Sequence, residues 1–598
     1  MLDILQKIKT DKTSIFCGAG ISFNSGLPLA NTLIVEILKK FELSEEEINL
    51  ILNSNLPFES FIDVLQENTD ATKILEIFQI NNANTNHYLI AHWAKLGIVK
   101  NIFTTNFDLC IEQALADFGL KRNIDFNVFT SEEEFHNIHL DGDTVNLIKI
   151  HGCVTDITEM GITMKSVANE TLSTNKRKLI SDFFNKNVNP NILILGYSCS
   201  DHFDISPEIE SITSGQSEIV FIEHTNNSDQ KLGTNEHISL KQEKNPFVKF
   251  NNGTRFYTNT DSFIKEIWNL TIETPFELIK YPQMNWDSKI DSWYDLATNE
   301  NTARIKWDLC GQLFYNIGEF QRASLHFRKA VDFAIRIDDQ LGMSNLAGLG
   351  MSYNMLGEYE SAQKCIEVVL QISIESDNTY NYIAQLQNLG NIYRNLGKLE
   401  KAKNVLCWAV IVSEFHNEKF VLGNSLGNLA LVYNLMREPD NAVRCLEYGL
   451  QISQEIGNKQ AECSQLASLG IALMNKGYLP KAEELMVQSI KIAELIGARE
   501  NEAEVRINLA VVKLNLGQYK EALFEANRSL EIANANLSKS TQGLAFFILG
   551  QAFFFLQERS LAISNMKKSV DIYSVIYPMD HPNLQTAIKL LNQFQSKE

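Results

Sequence analysis

The second half of this chain repeats itself, and that recurrence limits its fold more than any other feature. Turn positions Gly318, Gly357, Gly397, Arg437, Gly477, Gly517 and Gln557 follow one another at 39 residues once and at 40 thereafter. Five residues after each stands an alanine: Ala323, Ala362, Ala402, Ala442, Ala482, Ala522 and Ala562. Four further on comes Phe327, Ile366, Leu406, Leu446, Met486, Ala526 or Met566. Glycines recur upstream at Gly311, Gly350, Gly390, Gly470 and Gly550, where paired helices must approach closely. Such a pattern specifies a helix–turn–helix unit that buries its apolar face only by stacking on its neighbours. Most of the apolar stripes are then core. The polar residues on the first helix of each pair, including Asn388, Asn391, Arg394, Asn428, Asn434 and Asn508, are the candidate ligand positions.

The first half reads differently. A β-type run, Ser14-Ile15-Phe16-Cys17, enters Gly18-Ala19-Gly20, and Ile21-Ser22 follows. Strand, glycine turn and helix in that order can cradle a phosphate, with unpaired turn amides donating to the anion. The spacing Gly18, Gly20, Gly26 is not G-x-G-x-x-G, and read alone it is an ordinary tight turn. Helix-period segments cover 29–52 and 58–80, broken near Pro57, and another helix runs through Asn86-His87. Further strands are read at Ile98–Thr104, Val145–Ile150, Asn191–Leu195 and Glu218–Ile222, with a helix from Leu109 to Phe118. Strands alternating with helices predict a parallel, doubly wound α/β sheet, whose ligands sit beyond the carboxyl ends of the strands. Those ends carry Gly18-Ala19-Gly20, then Asn106 with Asp108, His151, Gly196 with Ser198, and Glu223. Each also has a plain reading: Asn106 or Asp108 as a helix cap, His151 as a loop histidine, Glu223 as surface.

Composition narrows the function. The 598 residues imply several domains, and the 44% apolar and 21% charged content is that of a globular protein. A net charge of −20 and a pI near 5.1 argue against a nucleic-acid partner. No apolar run is long enough for a membrane span. The N-terminal M-L-D-I-L-Q-K-I-K-T reads as a short amphipathic helix, not a signal peptide. Nine scattered cysteines without a C-x-x-C pair suit the reducing cytoplasm and give no paired-cysteine zinc site.

Taken together, G-A-G-I-S with S-G-L-P, then T-T-N-F-D, H-G, G-Y-S and the late strand I-V-F-I-E resemble the ordered motifs of the sirtuin NAD-binding fold, over roughly residues 1–270. The resemblance implies NAD across the strand ends, with Gly18, Ala19, Gly20, Ile21 and Ser22 around its pyrophosphate. It implies that Asn106 and Asp108 hold the nicotinamide ribose and the nucleophile's surroundings, and that His151 is the general base. Gly26, Thr105, Gly196, Ser198 and Asp201 belong to the same implied NAD set, and Glu223 would accept ribose hydroxyls. The repeats are similar to tetratricopeptide units, somewhat longer than the common unit of about 34 residues. The expected layout is a sirtuin-like domain at 1–270, an adaptor at 271–303, and about seven helix pairs at 304–598.

The departures point to an activity. Protein-deacylating sirtuins insert a four-cysteine zinc module after H-G, whereas residues 153–190 hold only Cys153 and read as a loop plus one helix, Asn175 to Phe184. Leu29-Ala30 stands where deacylases carry Phe-Arg. The chain therefore resembles zinc-less bacterial sirtuin-like NAD hydrolases, which often act in anti-phage defence. The resemblance implies NAD as substrate, no metal, a homo-oligomer, and a protein or phage-derived trigger on the repeats. The rival expectations are a protein deacylase and a non-enzymatic sensor of NAD or ADP-ribose. Asn106 and His151 are expected to face solvent.

Overall fold

The computed structural model describes residues 13–54, 56, 58–157, 160, 173–199, 205–212, 215–225, 235–237, 246–250, 253–283, 286–297, 304–336, 342–376, 378–496, 498–535, 538–576, 579 and 581–596. The N-terminal decapeptide, Pro57 and Asp201 lie outside them. The chain forms two compact units, 1–337 and 338–598.

The first unit is built on an eight-stranded sheet. Its strands are β1 (Thr13–Cys17), β2 (Val99–Thr104), β3 (Phe126–Phe129), β4 (Val145–Lys149), β5 (Asn191–Leu195), β6 (Glu218–His224), β7 (Asn235–His237) and β8 (Gly253–Thr258). Their order is β3-β4-β2-β1-β5-β6-β8-β7, parallel except for β7. β1, β4 and β5 are buried at every position, as strands covered on both faces must be. Alternate side chains feed separate cores. Ile15, Cys17, Leu147 and Leu193 join the layer holding Trp93, while Phe16, Phe103, Ile148 and Ile194 join the one holding Phe183 and Phe184.

The five strands expected from the sequence are present. β3, β7 and β8 were not read, being short, polar or edge-placed. The segment expected to be helical over 29–52 is two helices, Ala30–Lys40 and Glu45–Asn53. The second starts on a capping box between Ser44 and Glu47, which periodicity does not register. After Gly18 the chain forms a 3₁₀ turn, Ala19–Ser25, instead of entering an α-helix directly.

The first unit also extends past the adaptor. Helix Asp287–Ala297 buries Ile290 and Trp293, with the Trp293 ring 6.1 Å from that of Phe41. The first repeat pair, Arg304–Asn316 and Phe320–Arg336, belongs to the same unit. Arg304–Asn316 packs on helix Phe58–Asn68 and buries Leu309, Cys310, Leu313 and Phe314 completely. Arg322 lies 2.5 Å from Glu46, and Lys306 lies 3.1 Å from Glu42. Exposed pairs of this kind contribute at most about 1 kcal/mol each, so the buried apolar side chains do most of the holding. Compaction thus ends one helix pair beyond the boundary read from the repeats.

Six more pairs and a last helix, Pro582–Ser596, form the second unit. All seven turn residues have left-handed backbones, including Arg437 at φ 61° and Gln557 at φ 64°. All seven alanines are fully buried. A Cβ on Gly390 would lie 2.5 Å from the Leu406 side chain, so this glycine marks where paired helices touch. Among the described residues no single helix is long and apolar enough to cross a membrane.

Two outcomes are expected. A fragment ending at 337 stays folded by circular dichroism, whereas one ending at 270 uncovers Phe41 and melts at lower temperature or aggregates. Arg437→Gly and Gln557→Gly each raise stability by about 0.5–1 kcal/mol in denaturant titration. The relief of a left-handed non-glycine residue, about 1–2 kcal/mol, outweighs the extra freedom glycine gives the unfolded chain.

Candidate functional site

Because the central strands are parallel, their carboxyl ends lie on one edge. The sheet order places their loops side by side: His151 after β4, Asn106 and Asp108 after β2, Gly18–Ser22 after β1, Gly196 and Ser198 after β5, and Glu223 at the end of β6. β1 pairs with both β2 and β5, so the chain order reverses there. That reversal is where open parallel sheets form a ligand crevice.

The glycines at this point serve backbone contact. Gly18 N–H donates to Leu195 O at 3.0 Å and Gly20 N–H to Gly196 O at 2.9 Å. A Cβ on Gly18 would lie 2.6 Å from Gly196 O. One on Gly196, itself at φ +63°, would lie 2.5 Å from Ile21 N. The amides of Gly18 and Gly20 are therefore committed within the protein, which corrects the expectation of unpaired turn amides. Gly26 terminates the 3₁₀ turn at φ 87°.

Ser22 ties the crevice together. Its hydroxyl donates to Asp108 Oδ2 at 2.7 Å and accepts from Asn106 Nδ2 at 3.1 Å. It also meets His87 Nε2 at 3.2 Å. The Asn84 backbone N–H donates to His87 Nδ1, so the ring proton sits on Nε2 and points at Ser22. One donor and two acceptors exhaust a hydroxyl, so the Ser22 side chain has no bond left for a pyrophosphate. Asp108 accepts from Cys110 N with its other oxygen, and the Lys149 ammonium donates to its backbone carbonyl.

This bonding also accounts for a close grouping of His87, Asp108 and Cys110, whose donor atoms lie within 4.8 Å of one another. Both His87 nitrogens and both Asp108 oxygens are already engaged. Burial lowers the His87 pKa to about 4, with Asp108 opposing and Lys149 adding to the shift. Burial also pulls Lys149 down, but Glu112 at 2.6 Å, with Cys153 and Asp108, raises it overall and keeps it charged.

Asn106 is held by its own loop and by Ser22. Its backbone N–H donates to Thr104 Oγ1 at 3.1 Å, and its Nδ2 is fixed by the Ser22 hydroxyl. The remaining Oδ1 is buried with no partner among the described residues. Asn86 Oδ1, on the neighbouring segment, is likewise without one. A pinned amide with an open acceptor suits a water or a ribose hydroxyl, so these residues fit NAD as substrate. Asn106 is 6% and His151 3% exposed, which corrects the expectation that both face solvent.

The remaining predicted residues are less closely joined. Thr105 N–H donates to Cys17 O, Ser198 is exposed, and Glu223 pairs with Arg255 of β8. Sequence reading missed Asn84, Asn86 and His87, having treated their segment only as the start of a helix. Asn84-x-x-His87 has capping-box spacing, and that was the available signal. A cavity of about 540 Å³ lies at the opposite edge of the sheet, among Ser14, Asn101 and Asn189. The side chains there bond to one another, which marks it as structural.

The low His87 pKa makes a sign-definite prediction. Unfolded histidine binds its proton near pH 6.5, whereas the folded ring stays neutral down to about pH 4. The unfolded state thus takes up more protons in that window, and stability falls as pH drops from 6.5 towards 4. The expected loss is up to about 3 kcal/mol. Denaturant titrations of wild type and His87→Gln check it, since the variant should lose this part of the slope. Gly196→Ala is expected to melt well below wild type, because its Cβ meets backbone that cannot yield.

Comparison with known proteins agrees with this layout. Residues 100–241 match the model of the SIR2-like domain, and residues 386–409 and 503–536 match the tetratricopeptide repeat. An NAD-dependent protein deacetylase of Oceanobacillus iheyensis is 33% identical over 100 residues, covering 17% of this chain and 39% of that protein. The chain therefore spans well under half of the curated relative it matches. Among solved structures, the apo form of RapI is 12% identical with a TM-score of 0.39, covering 46% of this chain and 98% of that one. A tetratricopeptide repeat protein from Parabacteroides merdae is 16% identical with a TM-score of 0.36, covering 49% and 99%. Likenesses this weak carry no functional weight. The chain thus joins a SIR2-like domain on a parallel sheet to a long all-helical array of tetratricopeptide type.

Proposed function

We propose that the SIR2-like domain hydrolyses NAD at the nicotinamide–ribose bond, giving nicotinamide and ADP-ribose. The observation that carries this reading is the Asn106 amide, pinned through Nδ2 and presenting a buried, open Oδ1 beside the crevice. Asn106 orients a water towards C1′ of the ribose. His151 takes the proton as the water oxygen bonds to C1′, and the electrons of the breaking C1′–N bond leave with neutral nicotinamide. Asp108 acts through Ser22, keeping Asn106 in place. The Gly18–Gly26 turn, Thr105, Gly196, Ser198 and Glu223 line the length of the dinucleotide in this reading, and no metal takes part.

Such an activity drains NAD and needs control. Joined to repeats of a type that stack around proteins or peptides, it suits a regulated effector of bacterial anti-phage defence. A phage-derived protein or peptide would be the trigger, and a homo-oligomer the working form. Asn391 and Asn434, each with a buried Oδ1 lacking a partner among the described residues, are acceptors that a bound backbone would satisfy. A second reading, protein deacylation, is favoured by the name of the Oceanobacillus relative.

Incubation of the full chain with NAD, with and without an acetylated peptide, separates the two. Nicotinamide and ADP-ribose formed without peptide support hydrolysis, whereas products formed only with peptide overturn it in favour of deacylation. His151→Ala and Asn106→Ala are each expected to lower turnover by roughly 2–4 orders of magnitude. Because both side chains are buried, each variant also loses about 1 kcal/mol of stability, which a melt will register without loss of fold. Turnover near wild type in either variant would remove that residue from the mechanism.

A further inference from the structure

We infer that Glu59 is a positioning residue for His151, holding the imidazole in one tautomer and one orientation. The inference rests on the role given to His151 above. Glu59 stands in the first turn of helix Phe58–Asn68, and its Oε1 lies 3.7 Å from His151 Nδ1. Both side chains are largely buried, 13% and 3% exposed, so water screens their attraction little. A carboxylate beside Nδ1 favours the proton on that nitrogen and leaves the Nε2 lone pair as the acceptor. At 3.7 Å the contact is an ion-pair separation longer than a hydrogen bond, so the carboxylate acts on the ring through its charge.

An aromatic column also meets the ring. The Phe107 ring lies 6.2 Å from the His151 ring, Phe78 lies 5.6 Å from Phe107, and Phe58 lies 6.2 Å from Phe78. One helix therefore supplies both supports: Glu59 directly, and its neighbour Phe58 through an aromatic column. Lys149 is paired with Glu112, and Asp108 is bound by Ser22 and the Cys110 amide. Helix Phe58–Asn68 rests in turn on Arg304–Asn316, the first helix of the repeats, so that helix holds the element that holds His151.

The test uses the full chain labelled with ¹⁵N-histidine, the His151 ring signals being assigned by their loss in His151→Asn. Wild type is expected to show the Nδ1–H tautomer, and Glu59→Gln a shift towards Nε2–H. Glu59→Gln should also lower kcat for NAD roughly tenfold or more with little change in KM, and Glu59→Asp should recover most of it. His151 signals in Glu59→Gln identical to wild type would overturn the inference, whatever the turnover. If wild type does not cleave NAD, the proposed function fails while the tautomer shift still decides this one. Should Glu59→Gln melt early, the same spectra of Glu59→Asp and Glu59→Ala decide, the former resembling wild type and the latter not.

Discussion

The Ser22 hydroxyl is the interaction on which the crevice depends. It joins three segments far apart in sequence: its own turn, the Asn84–His87 helix start and the Asn106–Asp108 loop. Its bonding capacity is exhausted, so each partner is held in a single orientation. That leaves the buried Asn106 carbonyl oxygen as an open acceptor and makes a neutral His87 the stable form. Losing one member would strand buried donors or acceptors on the others, at about 1–3 kcal/mol each.

This arrangement exists because two loops approach at backbone distance. Gly18, Gly20 and Gly196 make that approach possible, with the Gly18 amide donating to Leu195 O and the Gly20 amide to Gly196 O. The glycines in this turn thus shape the floor of the crevice and do not themselves offer free amides. The chemistry passes to side chains on the neighbouring loops. Those side chains are buried, where hydrogen bonds and charges act with little competition from water.

The repeats follow a different logic, in which the same local contact recurs down the array. Alanine beneath each turn and glycine opposite a large side chain let paired helices close. Arg437 and Gln557 keep the left-handed turn at some cost, which shows that packing of the following helix sets the backbone there. The first pair departs from its fellows by burying its apolar face on the sheet unit.

Sequence alone determined the local terms. A 40-residue recurrence of turn, alanine and apolar residue can be satisfied only by stacked helix pairs, and buried parallel strands show as apolar runs. The strand-end residues Asn106, Asp108, His151 and Gly196 were legible because a parallel sheet puts every such end on one edge. Tertiary structure decided the rest. Strand order made those ends adjacent, and the Gly196 contact took up the turn amides. Long-range hydrogen bonds made the Ser22 hydroxyl a junction and brought in His87, and helix packing set Glu59 beside His151. Beyond the capping-box spacing at Asn84 and His87 these contacts leave no sequence signal, because a hydrogen bond between residues 65 or 84 positions apart leaves no period in the chain. Only the folded sheet supplies the geometry that selects it.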